Sequence, residues 1–135
     1  MTIEQAGELL IKQQGDIVLV RQAVRGVAVG MGLNVVDQTK IVTAASELAR
    51  NALVHGGGGV ARIEGVRDTT KSGVRLTFED HGPGIRDLDQ AMKDGFTTGG
   101  GLGLGLGGAK RLCSEFQIES KPGEGTRVTI IKWKP

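Results

Sequence analysis

Residues 74–108 read VRLTFEDHGPGIRDLDQAMKDGFTTGGGLGLGLGG, and the rest of the chain is organised around them. The stretch opens as an alternating strand. Val74, Leu76 and Phe78 point one way, and Arg75, Thr77 and Glu79 point the other. The same count puts Asp80 on the apolar side, where a carboxylate is costly unless something pairs with it. Gly82 and Gly84 follow at once and free the backbone for a close approach. A run of glycines with leucines between them then leads into a helix. Asp80 and the glycine run are therefore read as two ends of one small-molecule pocket.

Composition limits what that molecule can be. The chain has 135 residues, enough for one domain (1–135) with a core that needs no staples. Lys plus Arg number 17 against 15 Asp plus Glu, with no block of like charge, so nothing argues for nucleic acid. Three Phe, one Trp and no Tyr leave little to stack bases on. The single Cys113 has no internal disulfide partner and reads as a small buried hydrophobe in a reducing, cytoplasmic compartment. No signal peptide or long apolar run points to a membrane. The 23 glycines cluster at 56–59 and 99–108, which argues for phosphate contact or tight turns rather than a linker.

The remaining segments place these motifs. Residues 1–7 read as a polar lead-in, and Glu8 to Lys12 as a short edge strand. Asp16 reads as the N-cap of a helix carrying Ile17, Val20, Val24, Val27 and Met31 inward. A second helix is expected from Val36 to His55, stopped by Gly56 to Gly59. On it Glu47 and Asn51 lie four apart on one face, with Arg50 between them. Val60 to Asp68 and Gly73 to Asp80 read as a hairpin, Leu88 to Asp94 as a short helix, and Gly105 to Glu115 as a third full helix. Phe116, Ile118 and Ser120 alternate in a further strand. After the turn at Pro122–Gly125, Thr126, Val128 and Ile130 share one face of the last strand. The predicted fold is α+β: a two-layer sandwich, with helices on one face of a mixed, mostly antiparallel sheet.

Two nucleotide motifs are rejected. Gly103, Gly105 and Gly108 match a dinucleotide fingerprint formally, but a polar loop precedes them where a buried strand is required. No Lys-Ser/Thr pair completes a Walker loop. The glycine run still opens a helix near Gly105, and free N–H groups there suit an anion. Asp80 can accept from an exocyclic amine, which adenine offers. Guanine would present an oxygen instead. A charged hydrogen bond of this kind contributes about 1.5–3 kcal/mol. Thr126, inward at a strand start, can join the same pocket. If the face of the second helix lines the phosphates, Asn51 can give an oxygen to a bridging Mg²⁺ and Glu47 can take a proton from a nucleophile.

Glu47-Leu-Ala-Arg-Asn51, Asp80-His-Gly-Pro-Gly84 and Gly99 to Gly108 together resemble the N, G1 and G2 boxes of the GHKL ATPase and kinase superfamily. Gyrase B, Hsp90, MutL and the histidine kinases share its Bergerat fold. Within it the chain is most similar to the small bacterial serine/threonine kinases that regulate sigma factors, of the RsbT switch-kinase type found with stressosomes. The resemblance implies ATP and Mg²⁺ as cofactors, with Glu47 as general base, Asn51 as metal ligand and Asp80 as adenine anchor. It implies that Gly82, Gly84, Ile85 and Thr126 shape the adenine pocket. It implies that Gly99, Gly100, Gly101, Leu102, Gly103, Leu104 and Gly105 hold the phosphates, with Arg50 and Thr97 as further nucleotide-binding residues. The expected substrate is a Ser or Thr on a STAS-domain antagonist protein. The alternative is a nucleotide-gated binding protein that sequesters a sigma factor or activates a PP2C-type phosphatase by contact. A histidine-kinase catalytic domain would need a phosphoacceptor helix, and none is visible.

Overall fold

A computed structural model describes residues 1–92 and 105–135. The elements run β1 (Thr2–Ile11), α1 (Gln14–Gly30), α2 (Val35–Val54), β2 (Gly59–Arg67), β3 (Ser72–Asp80), α3 (Leu88–Ala91), α4 (Gly105–Arg111), β4 (Glu115–Lys121) and β5 (Gly125–Trp133). The five strands form one sheet in the order β1-β2-β3-β5-β4. Every pairing in it is antiparallel, so the expectation of a mixed sheet narrows to a purely antiparallel one. Short turns join β2 to β3 and β4 to β5, and antiparallel neighbours need no crossover.

One face of the sheet carries the core. Ile63, Leu76 and Ile130 lie side by side across β2, β3 and β5, and Ala61, Phe78 and Val128 form the next row. Ile17, Val20, Val24 and Ala28 of α1 and Ile41, Ala44, Ala45 and Leu48 of α2 close over them. Ile17, Val20, Val24 and Met31 are buried as the three-and-four spacing predicts, but Ala28 is fully buried where Val27 is expected, and Val27 is only partly buried. The N-cap of α2 is Asn34, whose Oδ1 accepts from the Asp37 N–H at 2.8 Å. The Asp37 carboxylate, itself buried, faces Lys132 of β5 at 3.5 Å. That pair fixes the start of α2 against the sheet, so the far end of α2 is brought to the end of β3. The opposite sheet face carries cross-strand ion pairs, among them Arg75 with the buried Glu64 at 2.9 Å.

Three boundaries differ from expectation. The lead-in does not exist as such: Thr2 to Ile11 is one strand, with a register shift between Ile3 and Gln5. It is an edge strand in which only Ile11 is fully buried, so it lacks the apolar alternation that marks a covered strand. Asp16 is not the N-cap but the third helical residue of α1. Gln13 is the cap, and the Asp16 carboxylate reaches back to accept from the N–H groups of Lys12 (2.8 Å) and Gln13 (3.1 Å). The last helix ends at Arg111, and Glu115 already belongs to β4. The short helix covers Leu88–Ala91 with Met92 as its C-cap, and residues 93–94 of its expected span lie outside the described residues.

Candidate functional site

Asp80 ends β3 with Gly59 opposite it on one side and Thr126 on the other. Thr126 stands opposite Ser120 of β4. Residues directly opposite one another in a sheet project to the same side. The row Gly59–Asp80–Thr126–Ser120 therefore continues the helix-facing side of the sheet, one step beyond the apolar row of Ala61, Phe78, Val128 and Ile118. The core side of the sheet thus turns polar at one end. The inward placement of Asp80 and Thr126 agrees with the strand count.

The Asp80 carboxylate accepts a hydrogen bond from the Gly82 N–H at 3.0 Å. Burial pushes its pKa above the usual carboxylate value, and the backbone hydrogen bonds from Gly82 and Thr126 only partly oppose this. A half-buried carboxylate with spare acceptor capacity suits a ligand amine.

Space for such a ligand depends on close backbone approach. A Cβ on Gly56, just past the His55 cap of α2, would fall on the Asp80 side chain. A Cβ on Gly82 would lie 2.6 Å from the Gly56 Cα. Gly84 has φ +76 and sits against the Lys121 carbonyl, where any side chain would collide. The Gly123 N–H donates to the Pro83 carbonyl at 2.7 Å, and the Ile85 N–H donates to Ser120 Oγ at 2.8 Å. The loop after Asp80 is thereby fastened to the β4–β5 turn.

The second helix carries the remaining candidate residues. Glu47 is buried, 7% exposed, on α2. Asn51 lies one turn further along and is half-buried. Arg50 is also half-buried, and its Nε is enclosed without a hydrogen-bond partner among the described residues. A buried guanidinium nitrogen of this kind fits an anionic ligand. No group of three or more His, Cys, Asp or Glu among the described residues could hold a metal by itself. The residues present fit an Mg²⁺ held mainly by phosphates, with Asn51 offering one oxygen.

The structure brings Asp80, Gly82, Gly84, Ile85 and Thr126 together around the loop after β3. It places Glu47, Arg50 and Asn51 on α2, whose His55 cap is followed by Gly56 beside Asp80. Gly105 begins α4 with φ +61. Thr97, Gly99, Gly100, Gly101, Leu102, Gly103 and Leu104 lie outside the described residues. Sequence reasoning missed two positions. Gly56 reads there only as a helix stop, since nothing local reveals that Asp80 will lie against it. Ser120 is legible as the inward residue after Phe116 and Ile118, but its bond to Ile85 joins segments 35 residues apart.

Comparison with known proteins agrees with this geometry. Residues 36–135 match the family model for histidine kinase-, DNA gyrase B- and HSP90-like ATPases. The chain is 50% identical over 123 residues to the serine/threonine-protein kinase RsbT of Bacillus subtilis, covering 91% of this chain and 92% of that protein. It is 37% identical over 103 residues to the anti-sigma F factor of Anoxybacillus flavithermus, covering 71% of this chain and 69% of that protein. A crystal structure of the RsbU and RsbW domains of a Mycobacterium tuberculosis protein superposes with a TM-score of 0.67 at 24% identity. The match covers 97% of this chain and 33% of that one, and it bears on the fold alone. No helix among the described residues is long and apolar enough to cross a membrane. With an antiparallel sheet under two long helices and a polar row facing the end of the second, the chain belongs to the histidine kinase-, DNA gyrase B- and HSP90-like ATPase family.

Proposed function

We propose that the chain is an ATP-dependent serine/threonine protein kinase that phosphorylates a STAS-domain antagonist protein in a partner-switching pathway controlling a sigma factor or stress response. The observation that carries the reading is the polar row at the end of the sheet, with the Asp80 carboxylate half-buried between Gly56 and Thr126. The 50% identity to a serine/threonine-protein kinase supports the reaction class.

In this reading Asp80 accepts from the exocyclic amine of adenine, and Thr126 lies beside it on the base edge. Gly82, Gly84 and Ile85 form the loop under the base. The glycine run from Gly99 to Gly105, with Thr97 before it, encloses the triphosphate, and Arg50 faces its charge. An Mg²⁺ on Asn51 and the phosphates would neutralise charge on the transferred group. Glu47 takes the proton of the substrate Ser or Thr hydroxyl as its oxygen attacks the γ-phosphorus. The new O–P bond forms while the bond to the β–γ bridging oxygen breaks and leaves as ADP. Burial of Glu47 keeps bulk water from competing for that proton.

The test is transfer of labelled phosphate from ATP to candidate STAS-domain proteins, with the wild type beside Glu47→Gln. Acid-stable phosphoprotein from the wild type, with ATP bound but no transfer by E47Q, is the expected result. Acid-labile product would instead indicate a histidine-kinase chemistry. The similarity to an anti-sigma factor favours a second reading, in which nucleotide-gated contact with a sigma factor or a PP2C-type phosphatase carries the output. Under that reading Glu47→Ala keeps its regulatory output in cells.

A further inference from the structure

The Ser120 side chain touches both the loop after Asp80 and the residue beside Asp80. Its Oγ accepts from the Ile85 N–H at 2.8 Å, lies 3.2 Å from the Gly125 carbonyl oxygen, and lies 2.8 Å from Thr126 Oγ1. A hydroxyl has one hydrogen and two lone pairs. The Ile85 N–H takes one lone pair, so one hydrogen and one lone pair remain for two neighbours. The Gly125 carbonyl can only accept. If it takes the Ser120 hydrogen, Thr126 must donate to Ser120, and Thr126 then shows the pocket lone pairs alone. If Ser120 instead donates to Thr126, the Thr126 hydrogen is released toward the pocket. The only bond given up is the longest of the three.

The second arrangement matches the adenine edge. The exocyclic amine is a donor for Asp80, and the ring nitrogen beside that amine is an acceptor for Thr126. We propose that Ser120 is the positioning residue for base recognition: it sets the direction of the Thr126 hydroxyl and ties it to the loop that carries Ile85. The proposal rests on the adenine reading of Asp80 and Thr126 given above. Ser120 need not touch the base, because it acts through Thr126, its cross-strand partner. With Ala at 120, the Thr126 hydroxyl loses the neighbour that keeps it satisfied in either direction, and the Ile85 N–H loses its acceptor.

The experiment is calorimetric titration of the full chain with two ligands. One is ATP, and the other is its deaza analogue in which the ring nitrogen next to the amine is a C–H. The wild type should prefer ATP by about tenfold, as expected for one buried hydrogen bond. Ser120→Ala should weaken ATP about tenfold and reduce the preference to about twofold, because the analogue has no acceptor to lose. Ser120→Thr, which keeps the hydroxyl on a strand-favouring residue, should restore most of the preference. If S120A does not fold, Ser120→Cys, with a weak S–H donor of similar size, makes the same comparison and should also lose preference. An unchanged preference in S120A or S120C overturns the proposal, even where affinity for both ligands falls, since a purely structural residue would weaken them equally. A wild type that binds no ATP overturns the adenine reading first, before any variant is compared.

Discussion

Adding one methyl group at Gly56 should close the base end of the pocket. Gly56 is not among the glycines with positive φ, so alanine is allowed by its backbone and contact alone decides the outcome. The new Cβ would fall on both Cγ and Cβ of Asp80, and would lie 2.7 Å from the Ala52 carbonyl oxygen. Real Cβ atoms essentially never approach within 3.0 Å, and 3.4 Å is ordinary contact. Turning the Asp80 side chain moves its carboxylate but not its Cβ, so the end of α2 and the end of β3 must separate by roughly 1 Å. Overpacking of this kind costs about 1–3 kcal/mol. For a domain of this size that lowers the melting temperature by roughly 4 °C per kcal/mol. The displaced carboxylate should also lose the adenine amine, with ATP affinity falling by about tenfold or more. Gly26→Ala is the comparison. Gly26 lies inside α1 with nothing within 4 Å of its Cβ position, so alanine there should stabilise by about 0.5–1 kcal/mol. Thermal melts and calorimetric titration read both effects. Asp80→Gly removes the Cβ at 80 and leaves only the Ala52 carbonyl contact, so G56A should cost less stability in that background than alone. Additive losses, or a G56A that melts and binds ATP like the wild type, would refute the packing argument.

The other predictions concern single side chains. Burial raises the Asp80 pKa above the ordinary carboxylate value. The folded state therefore holds its proton more tightly than the unfolded one, and stability falls as pH rises from that ordinary value through the raised folded value. Above that window the full cost of a desolvated carboxylate remains. Asp80→Asn should thus melt higher than wild type at neutral pH without ligand, while ATP affinity drops by about 10- to 150-fold; equal affinity by titration would remove Asp80 from base recognition. Burial also pushes the Cys113 thiol up to about 12 against the opposing charge of Lys132. It should resist alkylation at neutral pH in the folded chain and react once the chain is denatured. Mass spectrometry showing rapid native labelling would contradict this.

Much of the fold was legible because its elements state their period plainly. Leu76 and Phe78 alternate, and Ile41, Leu48 and Ala52 recur at helical spacing, so β3 and α2 could be placed to within a residue. β1 was not legible over its first half. An edge strand needs burial on one side only at its end, and its pairing comes from β2, far along the chain. Asp16 shows a different limit. Asp is favoured both as a cap and in the first turn, and the choice depended on Gln13 adopting the extended cap conformation. The purely antiparallel sheet depended on where β5 inserts, between β3 and β4, which no local pattern encodes.

The site was legible in its parts but not in its assembly. Glu47, Asn51 and Asp80 could be named because their residue types and spacings carry chemistry. What lets the end of α2 pack against Asp80 is the glycine content, and its purpose emerges only in three dimensions. The Cβ positions of Gly56, Gly59 and Gly125 all run into Asp80 or the residue before it, and that of Gly82 runs into Gly56. These glycines come from the end of α2, the start of β2, the loop after β3 and the start of β5. They let four backbone segments pack closely at the end of β3, with Gly56 against the Asp80 side chain itself, where side chains would hold them apart. The half-buried Asp80 carboxylate weakens the unliganded fold, since burial raises its pKa. The enclosure makes sense as a preformed receptor for a donor group, since binding then relieves a cost that folding has already met. The clustered glycines at 56–59 and the Asp80 motif thus pack together just past the end of α2, the helix that also carries Glu47 and Asn51.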